Sequence, residues 1–264
     1  MRCAKSAQRG GSGGAGRRGG SNAVAMFHPR GPSFVELVIQ ALSSVERGYD
    51  LLAPKFELTP YRTPDALVRA AARAIGAPRS VGSALDLCCG TGAAMRALRP
   101  LCRDRVVGVD ISQGMLDEAR RRLADAPGDA AVELVRGDAL ELPFRGDFDV
   151  ATCFGAFGHV LEADEPRLVR SVASALRPGG RFVFVTIDRP SPWRIRYWQA
   201  RGFNAAMRVR NAVWRPPFVM YYLTFLLPRA KALLESAGFR VEVHRGLLPA
   251  PYERHVLVVA TLAG

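Results

Sequence analysis

Apolar residues follow two alternating patterns along most of this chain, and together these patterns predict an α/β fold. Short apolar runs predict seven strands, at residues 84–88, 106–110, 132–136, 148–154, 181–187, 241–247 and 255–262. Apolar positions at helical spacing predict intervening helices at residues 92–98, 113–123, 165–176 and 229–237. The chain closes with a strand-to-strand return, so we expect a doubly wound, mostly parallel sheet whose last strand is antiparallel.

Two further helices are predicted before the first strand. Residues 33–52 read as one helix with Ser33 as its N-cap, and residues 65–75 as a second helix that ends at Gly76. A turn at residues 178–180 should separate the helix before it from the next strand. The pattern predicts five segments: a tail at 1–30, an N-terminal helical cap at 31–78, an α/β core at 79–188, an insertion at 189–228 and a C-terminal unit at 229–264 that completes the core.

The tail at residues 1–30 is rich in Gly, Ser and Arg and has no hydrophobic periodicity. Such a segment buries too little apolar surface to offset the entropy of ordering it, so we expect disorder. It has no apolar stretch typical of a secretory signal. Two alternatives stay open: an RNA-binding tail, and a true start at Met26.

The chain carries a formal charge of +13, which raises the question of a nucleic-acid partner. Arginine supplies nearly all of this charge, as expected for a protein encoded by GC-rich DNA, so we favour a solvated basic surface over a functional one. The five cysteines include an adjacent pair and no CxxC spacing, which predicts reduced thiols in the cytoplasm and no metal site. No apolar run is long enough to span a bilayer.

A glycine turn follows the first predicted strand, where Gly90 and Gly92 open a helix. Such a turn lets the backbone approach a ligand and directs helix N–H groups toward it. Asp110 ends the next strand, where an acidic residue can accept both ribose hydroxyls of an adenosine. A dinucleotide fingerprint would need a third glycine where Met95 stands, so S-adenosylmethionine is favoured over a nicotinamide cofactor.

At roughly residues 50–262, the chain resembles the class I S-adenosylmethionine-dependent methyltransferases, within the small-molecule methyltransferase-domain superfamily. Five segments carry the resemblance in order: LDLCCGTG, VVGVDISQGML, VRGDALELPF, FDVATCFGAFGHV and LRPGGRFVFV. LLESAGF followed by RVEV resembles the family's last helix and strand. The resemblance implies a Rossmann-like fold, S-adenosylmethionine as cofactor and a small-molecule methyl acceptor.

The resemblance implies cofactor-binding roles for the residues of this chain that match the family's motifs. Asp86 is expected to orient the methionine end, while Gly90 and Gly92 give the backbone room. Asp110 is expected to hold the ribose diol. A turn-capping role is the alternative for Asp86.

The later motifs imply four more contacts. Asp138 would accept a hydrogen bond from the adenine amino group, and the Ala139 N–H would face the ring edge. Cys153 and Phe154 would border the methionine moiety. A turn-capping role is again the alternative for Asp138, and the family often has glycine where this chain has Cys88.

His159 is the candidate general base, because it follows the fourth predicted strand, where the methyl group is expected. A structural or helix-capping histidine is the alternative. A metal-dependent mechanism would need a cluster of acids around the acceptor, which the sequence does not supply.

We expect two segments to cover the acceptor: the N-terminal cap, with Tyr49 and Tyr61, and a helical lid formed by the insertion, with Trp198 and Tyr222. The insertion interleaves aromatic residues with seven arginines and contains no acid. This composition suits an aromatic, lipid-like or anionic acceptor. The alternatives are a helix that packs on the body and a helix that contacts a membrane.

Two other functions compete with small-molecule methylation. The first is an RNA or DNA methyltransferase. Amino-methylating enzymes of this kind usually show an (N/D)PPY-type tetrapeptide after the fourth strand, where this chain has Cys-Phe-Gly-Ala, so no nucleic-acid partner is expected. A non-catalytic, cofactor-binding interaction protein is disfavoured by the intact glycines and Asp110. The sequence does not identify the acceptor, the atom that is methylated or the oligomeric state.

Overall fold

A computed structural model describes residues 28–264 and contains one seven-stranded sheet. Its strands are β1 Val81–Leu87, β2 Cys102–Asp110, β3 Ala131–Arg136, β4 Phe148–Cys153, β5 Leu176–Ile187, β6 Phe239–His244 and β7 His255–Leu262. The spatial order is β3-β2-β1-β4-β5-β7-β6. Strands β1 to β5 pair in parallel, whereas β7 runs antiparallel to both β5 and β6. The predicted fold class, including the antiparallel last strand, is confirmed.

Eight α-helices accompany the sheet in the described part of the chain. They are α1 Phe34–Leu42, α2 Val45–Leu52, α3 Asp65–Ile75, α4 Ala93–Leu98, α5 Gln113–Leu123, α6 Glu165–Ala175, α7 Ile195–Val213 and α8 Leu227–Ser236. Short 3-10 turns occupy Ala53–Leu58, Arg99–Leu101 and Phe157–His159. No helix in residues 28–264 is long and apolar enough to cross a bilayer.

The prediction of a single helix over residues 33–52 was wrong, because two helices occupy this stretch. Ser33 caps α1 as expected, in a reciprocal capping box with Glu36. Helix α1 ends at Leu42, and the Ser44 hydroxyl then accepts a hydrogen bond from the Arg47 N–H to begin α2. The serine side chain competes for backbone groups that would otherwise continue the helix, so the chain changes direction here.

The turn at residues 178–180 also lies differently from the prediction, since β5 already begins at Leu176. Leu176 pairs with Phe148, and the next pair joins Arg181 to Val150. The intervening residues therefore bulge out of the strand, and Gly179 permits this with a φ of +76°.

The sheet is the middle layer of three, and its strand residues alternate between two apolar cores. Leu85 and Val107 pack with α6 and α8 on one face. Ala84 and Val106 pack with α3, α4 and α5 on the other. Every residue of β1 is buried, which explains why the central strands read as nearly continuous apolar runs.

The five-segment division stays a prediction. The predicted disordered tail and the alternative start at Met26 fall almost wholly outside the described residues, which begin at residue 28.

The fully buried strand β1 contains one ionisable side chain, Asp86. Asp86 of β1 pairs in register with Thr152 of β4, and the Thr152 hydroxyl donates to Asp86 Oδ1 over 2.7 Å. Burial raises the pKa of Asp86 from 3.8 to about 7, against the opposing effect of this hydrogen bond. The folded protein therefore retains a proton that the unfolded chain loses at lower pH.

This retained proton makes stability depend on pH. Between pH 5 and 7 the unfolded chain ionises Asp86 while the folded chain does not, so rising pH favours unfolding. Relative to Asp86→Asn, the free energy of unfolding of the wild type should fall by about 1 kcal/mol per pH unit in this window and level off above it. Urea titrations at several pH values measure this difference. A difference that is constant across the window would contradict the shifted pKa.

Candidate active site

A cavity of about 300 Å³ opens at the carboxyl ends of β1, β2 and β4. In an open α/β sheet, ligands bind outside this edge, where neighbouring connections diverge to opposite faces. The wall combines the N-terminal cap, the loops after three strands and one residue of the insertion. Its residues are Val45, Tyr49, Phe56, Tyr61, Thr63, Cys88, Cys89, Gly90, Thr91, Ala93, Asp110, Ile111, Met115, Gly137, Asp138, Ala139, Leu140, Phe154, Gly155, Ala156, His159, Val160 and Val219.

The loop after β1 turns sharply through three left-handed residues. Cys88, Gly90 and Gly92 have φ angles of +51°, +52° and +83°. A Cβ added at Gly90 would meet no atom within 4 Å, so the glycine leaves space on the cavity side. Cys88 adopts a backbone conformation that favours glycine, at a cost of about 1–2 kcal/mol. Cys88, which replaces the glycine frequent in the family, therefore occupies a strained backbone position.

Asp110 joins this loop to the start of α5. Its Oδ2 accepts a hydrogen bond from the Gly90 N–H over 2.8 Å, and its Oδ1 accepts from the Ser112 N–H over 2.9 Å. Burial raises the pKa of Asp110, while these two backbone donors oppose the rise. Each carboxylate oxygen has a second lone pair, so the group can still accept hydrogen bonds from a ligand in the cavity.

The remaining predicted cofactor residues divide into two groups. Asp138, Ala139 and Phe154 line the cavity, whereas Asp86, Gly92 and Cys153 do not. Asp138 also caps a turn, since its Oδ1 accepts from the Leu140 N–H over 2.9 Å. The roles given to all of these residues stay predictions.

The sequence did not predict the contacts that surround His159. Its Nδ1 lies 2.6 Å from the Val219 carbonyl oxygen, and its Nε2 lies 2.7 Å from the Tyr49 hydroxyl. A carbonyl oxygen only accepts, so Nδ1 carries a proton and Nε2 accepts one from Tyr49. Burial lowers the pKa of His159 and raises that of Tyr49, which keeps both groups neutral near pH 7.

The insertion reaches the cavity through a short segment near its end. Val219 lines the wall, and the Tyr221 N–H donates to the Gly158 carbonyl over 2.8 Å. Trp198 and Tyr222, the predicted lid residues, are not in the wall and are 58% and 47% exposed. Tyr49 and Tyr61 of the cap do line it. The lid role of Trp198 and Tyr222 stays a prediction.

Hydrogen bonds that the sequence did not predict join the N-terminal cap to the loops after β1 and β2. Asp50 accepts hydrogen bonds from the Ser112 hydroxyl over 2.6 Å and from the Gly114 N–H over 2.9 Å. The Thr91 hydroxyl donates to Glu57 over 2.6 Å. Asp50 lies on a predicted helix and Glu57 just after it, and neither has a sequence signal for its distant partner. Within residues 28–264, no cluster of three or more His, Cys, Asp or Glu side chains is arranged to hold a metal ion.

Comparison with known proteins agrees with this geometry. The family model described as a methyltransferase domain matches residues 84–180. The demethylmenaquinone methyltransferase of Symbiobacterium thermophilum is 38% identical over 43% of this chain and 45% of its own length. The 2-phytyl-1,4-naphtoquinone methyltransferase of Nostoc punctiforme is 34% identical over 64% of this chain and 76% of its own length. The chain thus spans about half of the first of these relatives and three quarters of the second.

Solved structures share the fold. The DhpI–SAH complex matches with a TM-score of 0.58 and 21% identity, over 88% of this chain and 99% of that one. The YcgJ protein from Bacillus subtilis matches with a TM-score of 0.56 and 19% identity, over 75% and 98% of the two chains. The predicted family is confirmed by the sheet order and by the Nostoc relative: the chain belongs to the class I S-adenosylmethionine-dependent methyltransferases.

Proposed function

We propose that this protein transfers a methyl group from S-adenosylmethionine to a small aromatic or lipid-like acceptor that carries an ionisable hydroxyl, such as a quinol ring. One observation carries the proposal: the glycine loop and Asp110 line the same cavity as the hydrogen-bonded pair Tyr49 and His159. Cofactor binding and proton removal from an acceptor are thereby brought within one enclosure.

The cavity residues Gly90, Asp110, Asp138 and Ala139 fit an adenosine. Asp110 can hold the ribose hydroxyls with its remaining lone pairs, and Gly90 leaves room beside it. Asp138 Oδ2 can accept a hydrogen bond from the adenine amino group, and the Ala139 N–H can face the edge of the adenine ring. S-adenosylmethionine supplies a methyl group on a positively charged sulfur, which a nucleophile takes by in-line displacement.

Several lining residues without a predicted cofactor role are apolar or aromatic, among them Phe56, Tyr61 and Val219. No arginine or lysine of the described chain lines the cavity. This wall favours a flat apolar ring over the anionic acceptor that the arginine-rich insertion first suggested. The names of the Symbiobacterium and Nostoc relatives support a quinone-type ring.

Methyl transfer releases one proton from such an acceptor, and Tyr49 and His159 can take it up together. The acceptor hydroxyl gives its proton to Tyr49 Oη while Tyr49 gives its own to His159 Nε2. The Val219 carbonyl then stabilises the histidine cation through Nδ1–H. His159 has no free nitrogen facing the acceptor, so we assign it an indirect role as the terminal base and Tyr49 the direct contact.

The competing functions receive less support. No arginine or lysine among residues 28–264 lines the cavity to bind a nucleic-acid backbone, and the hydrogen-bonded pair Tyr49 and His159 argues against a non-catalytic cofactor binder. The free thiols Cys88, Cys89, Cys102 and Cys153 are consistent with an enzyme of the cytoplasm, which we propose as its location.

The cofactor assignment predicts the behaviour of Asp110→Ala. Losing a charged acceptor of two ribose hydrogen bonds, each contributing about 1.5–3 kcal/mol, should weaken S-adenosylmethionine binding by well over tenfold. Isothermal titration calorimetry measures the affinity, with the exposed Asp125→Ala as control. A loss below fivefold in a variant that keeps its fold by circular dichroism would contradict the assignment.

The proton relay predicts a separate effect of Tyr49→Phe and His159→Asn. With a short-chain demethylmenaquinol as acceptor, kcat should fall by about 100-fold in each, because general-base catalysis typically contributes that much. Affinity for S-adenosylmethionine should stay within twofold of the wild type.

The pH profile separates a relay from mere packing. Wild-type kcat should fall as pH drops below the lowered pKa of His159, because the relay then starts protonated, and both variants should lose this acid limb. Variants with near-normal kcat, or with the acid limb retained, would contradict the relay. A wild type that binds S-adenosylmethionine but methylates no quinol would contradict the acceptor class alone.

A further inference from the structure

The longest helix among residues 28–264 presents an uncharged stripe to solvent. Helix α7 has no buried residue, and its inward positions are occupied by residues such as Phe203, Asn204 and Asn211. The exposed positions between its arginines follow helical spacing and carry no charge. They are Ile195, Trp198, Gln199, Gly202, Ala205, Ala206, Val209, Ala212 and Val213. Val213 is 80% exposed, so this is an apolar face without a partner in the described chain.

Cationic side chains border this stripe. Arg194, Arg196, Arg201, Arg208 and Arg215 are all exposed, and the whole insertion at residues 189–228 contains no acid. A 19-residue helix is about 28 Å long, so charge and apolar surface extend together over that distance. An exposed apolar face edged by arginine is the pattern of helices that lie in a membrane interface.

All three tryptophans of the protein belong to the same segment. Trp193 is 95% exposed just before α7, Trp198 is 58% exposed in its first turn, and Trp214 is 51% exposed at its end. Tryptophan is enriched where protein meets the membrane–water interface. Exposing large apolar side chains to water is unfavourable, so three exposed tryptophans in one segment indicate a surface that binds a partner.

Helix α1 adds a second apolar stripe. Phe34, Val35, Val38, Ile39 and Leu42 are exposed along it. The two helices meet at their C-terminal ends, where Arg210 Nη2 donates to the Ser43 carbonyl over 3.4 Å. Val45 follows α1, Val219 follows α7, and both line the cavity. The exposed apolar helices are therefore directly connected to its wall.

We propose that α1 and α7 dock this protein on the surface of an anionic lipid bilayer, with the stripes in the interface and the arginines against lipid headgroups. Charge complementarity selects this occupant. A second copy would bring two acid-free, arginine-rich segments together, and their repulsion opposes a symmetric contact. A nucleic acid would satisfy the arginines but would leave the valine, isoleucine and alanine stripe in water.

Vesicle flotation with the full chain tests the proposal. The wild type should bind vesicles of equal parts phosphatidylglycerol and phosphatidylcholine and bind pure phosphatidylcholine at least about tenfold more weakly, because each basic residue near an anionic surface contributes favourably. Tryptophan emission should shift to the blue on binding. Equal binding to both vesicle types, or no binding to either, would overturn the proposal.

A matched pair of variants locates the surface. Val209→Glu/Val213→Glu should reduce binding to the anionic vesicles by at least about tenfold, because two acids enter the apolar stripe. Leu161→Glu/Leu247→Glu adds the same charge at exposed leucines outside α1 and α7 and should leave binding within twofold. Calorimetry with S-adenosylmethionine checks that both variants are folded. Equal loss of vesicle binding in both variants would overturn the assignment of the surface. So would light scattering that finds a wild-type dimer that does not bind vesicles and a monomeric Val209→Glu/Val213→Glu variant. Vesicle binding is measured without turnover, so the outcome is independent of the proposed reaction.

Discussion

The carboxylate of Asp110 accepts one backbone N–H from the loop after β1 and another from the start of α5, and the arrangement of the cavity depends on these two hydrogen bonds. Gly90 donates to Asp110 from a left-handed backbone, and its missing side chain leaves the cavity open. The strands fix the distance between the two loops through the register that sets Asp86 beside Gly108 and Leu87 beside Val109. Packing on both faces of the sheet therefore determines where the acid stands. The same acid is the group we propose for the ribose, so loop geometry and cofactor affinity share one cause.

The cavity wall also joins segments that lie far apart in the sequence. Tyr49 comes from the N-terminal cap, His159 follows β4, and Val219 follows α7. Two short contacts join them, and Asp50 and Glu57 link the cap to the loops after β2 and β1 by hydrogen bonds. The cap and the insertion, which supply Tyr49 and Val219 to the cavity wall, also carry the exposed apolar stripes. A membrane-borne acceptor would then approach from the side on which the protein rests.

The sequence predicted the sheet well because its signals are local. The glycine turn, Asp110 at the end of β2 and the buried β-branched runs each follow from the residues at that position, and the order of motifs implied the topology. It failed at residues 33–52, where the apolar spacing continues across Ser43 and Ser44 although the helix does not. It also failed to predict the partner of His159. A histidine after a strand indicates a function, but Tyr49 lies 110 residues away and only the packed fold brings it into contact. For Trp198, composition alone could not decide between facing the cavity and facing solvent.

A crystal structure with S-adenosylhomocysteine tests the central claim most directly. We predict both ribose hydroxyls within hydrogen-bonding distance of Asp110, at about 2.5–3.0 Å, with the Gly90 N–H still bound to the same carboxylate and the sulfur directed toward Tyr49. A nucleoside bound outside this cavity, or a ribose held by another residue while Asp110 contacts only the backbone, would contradict the account.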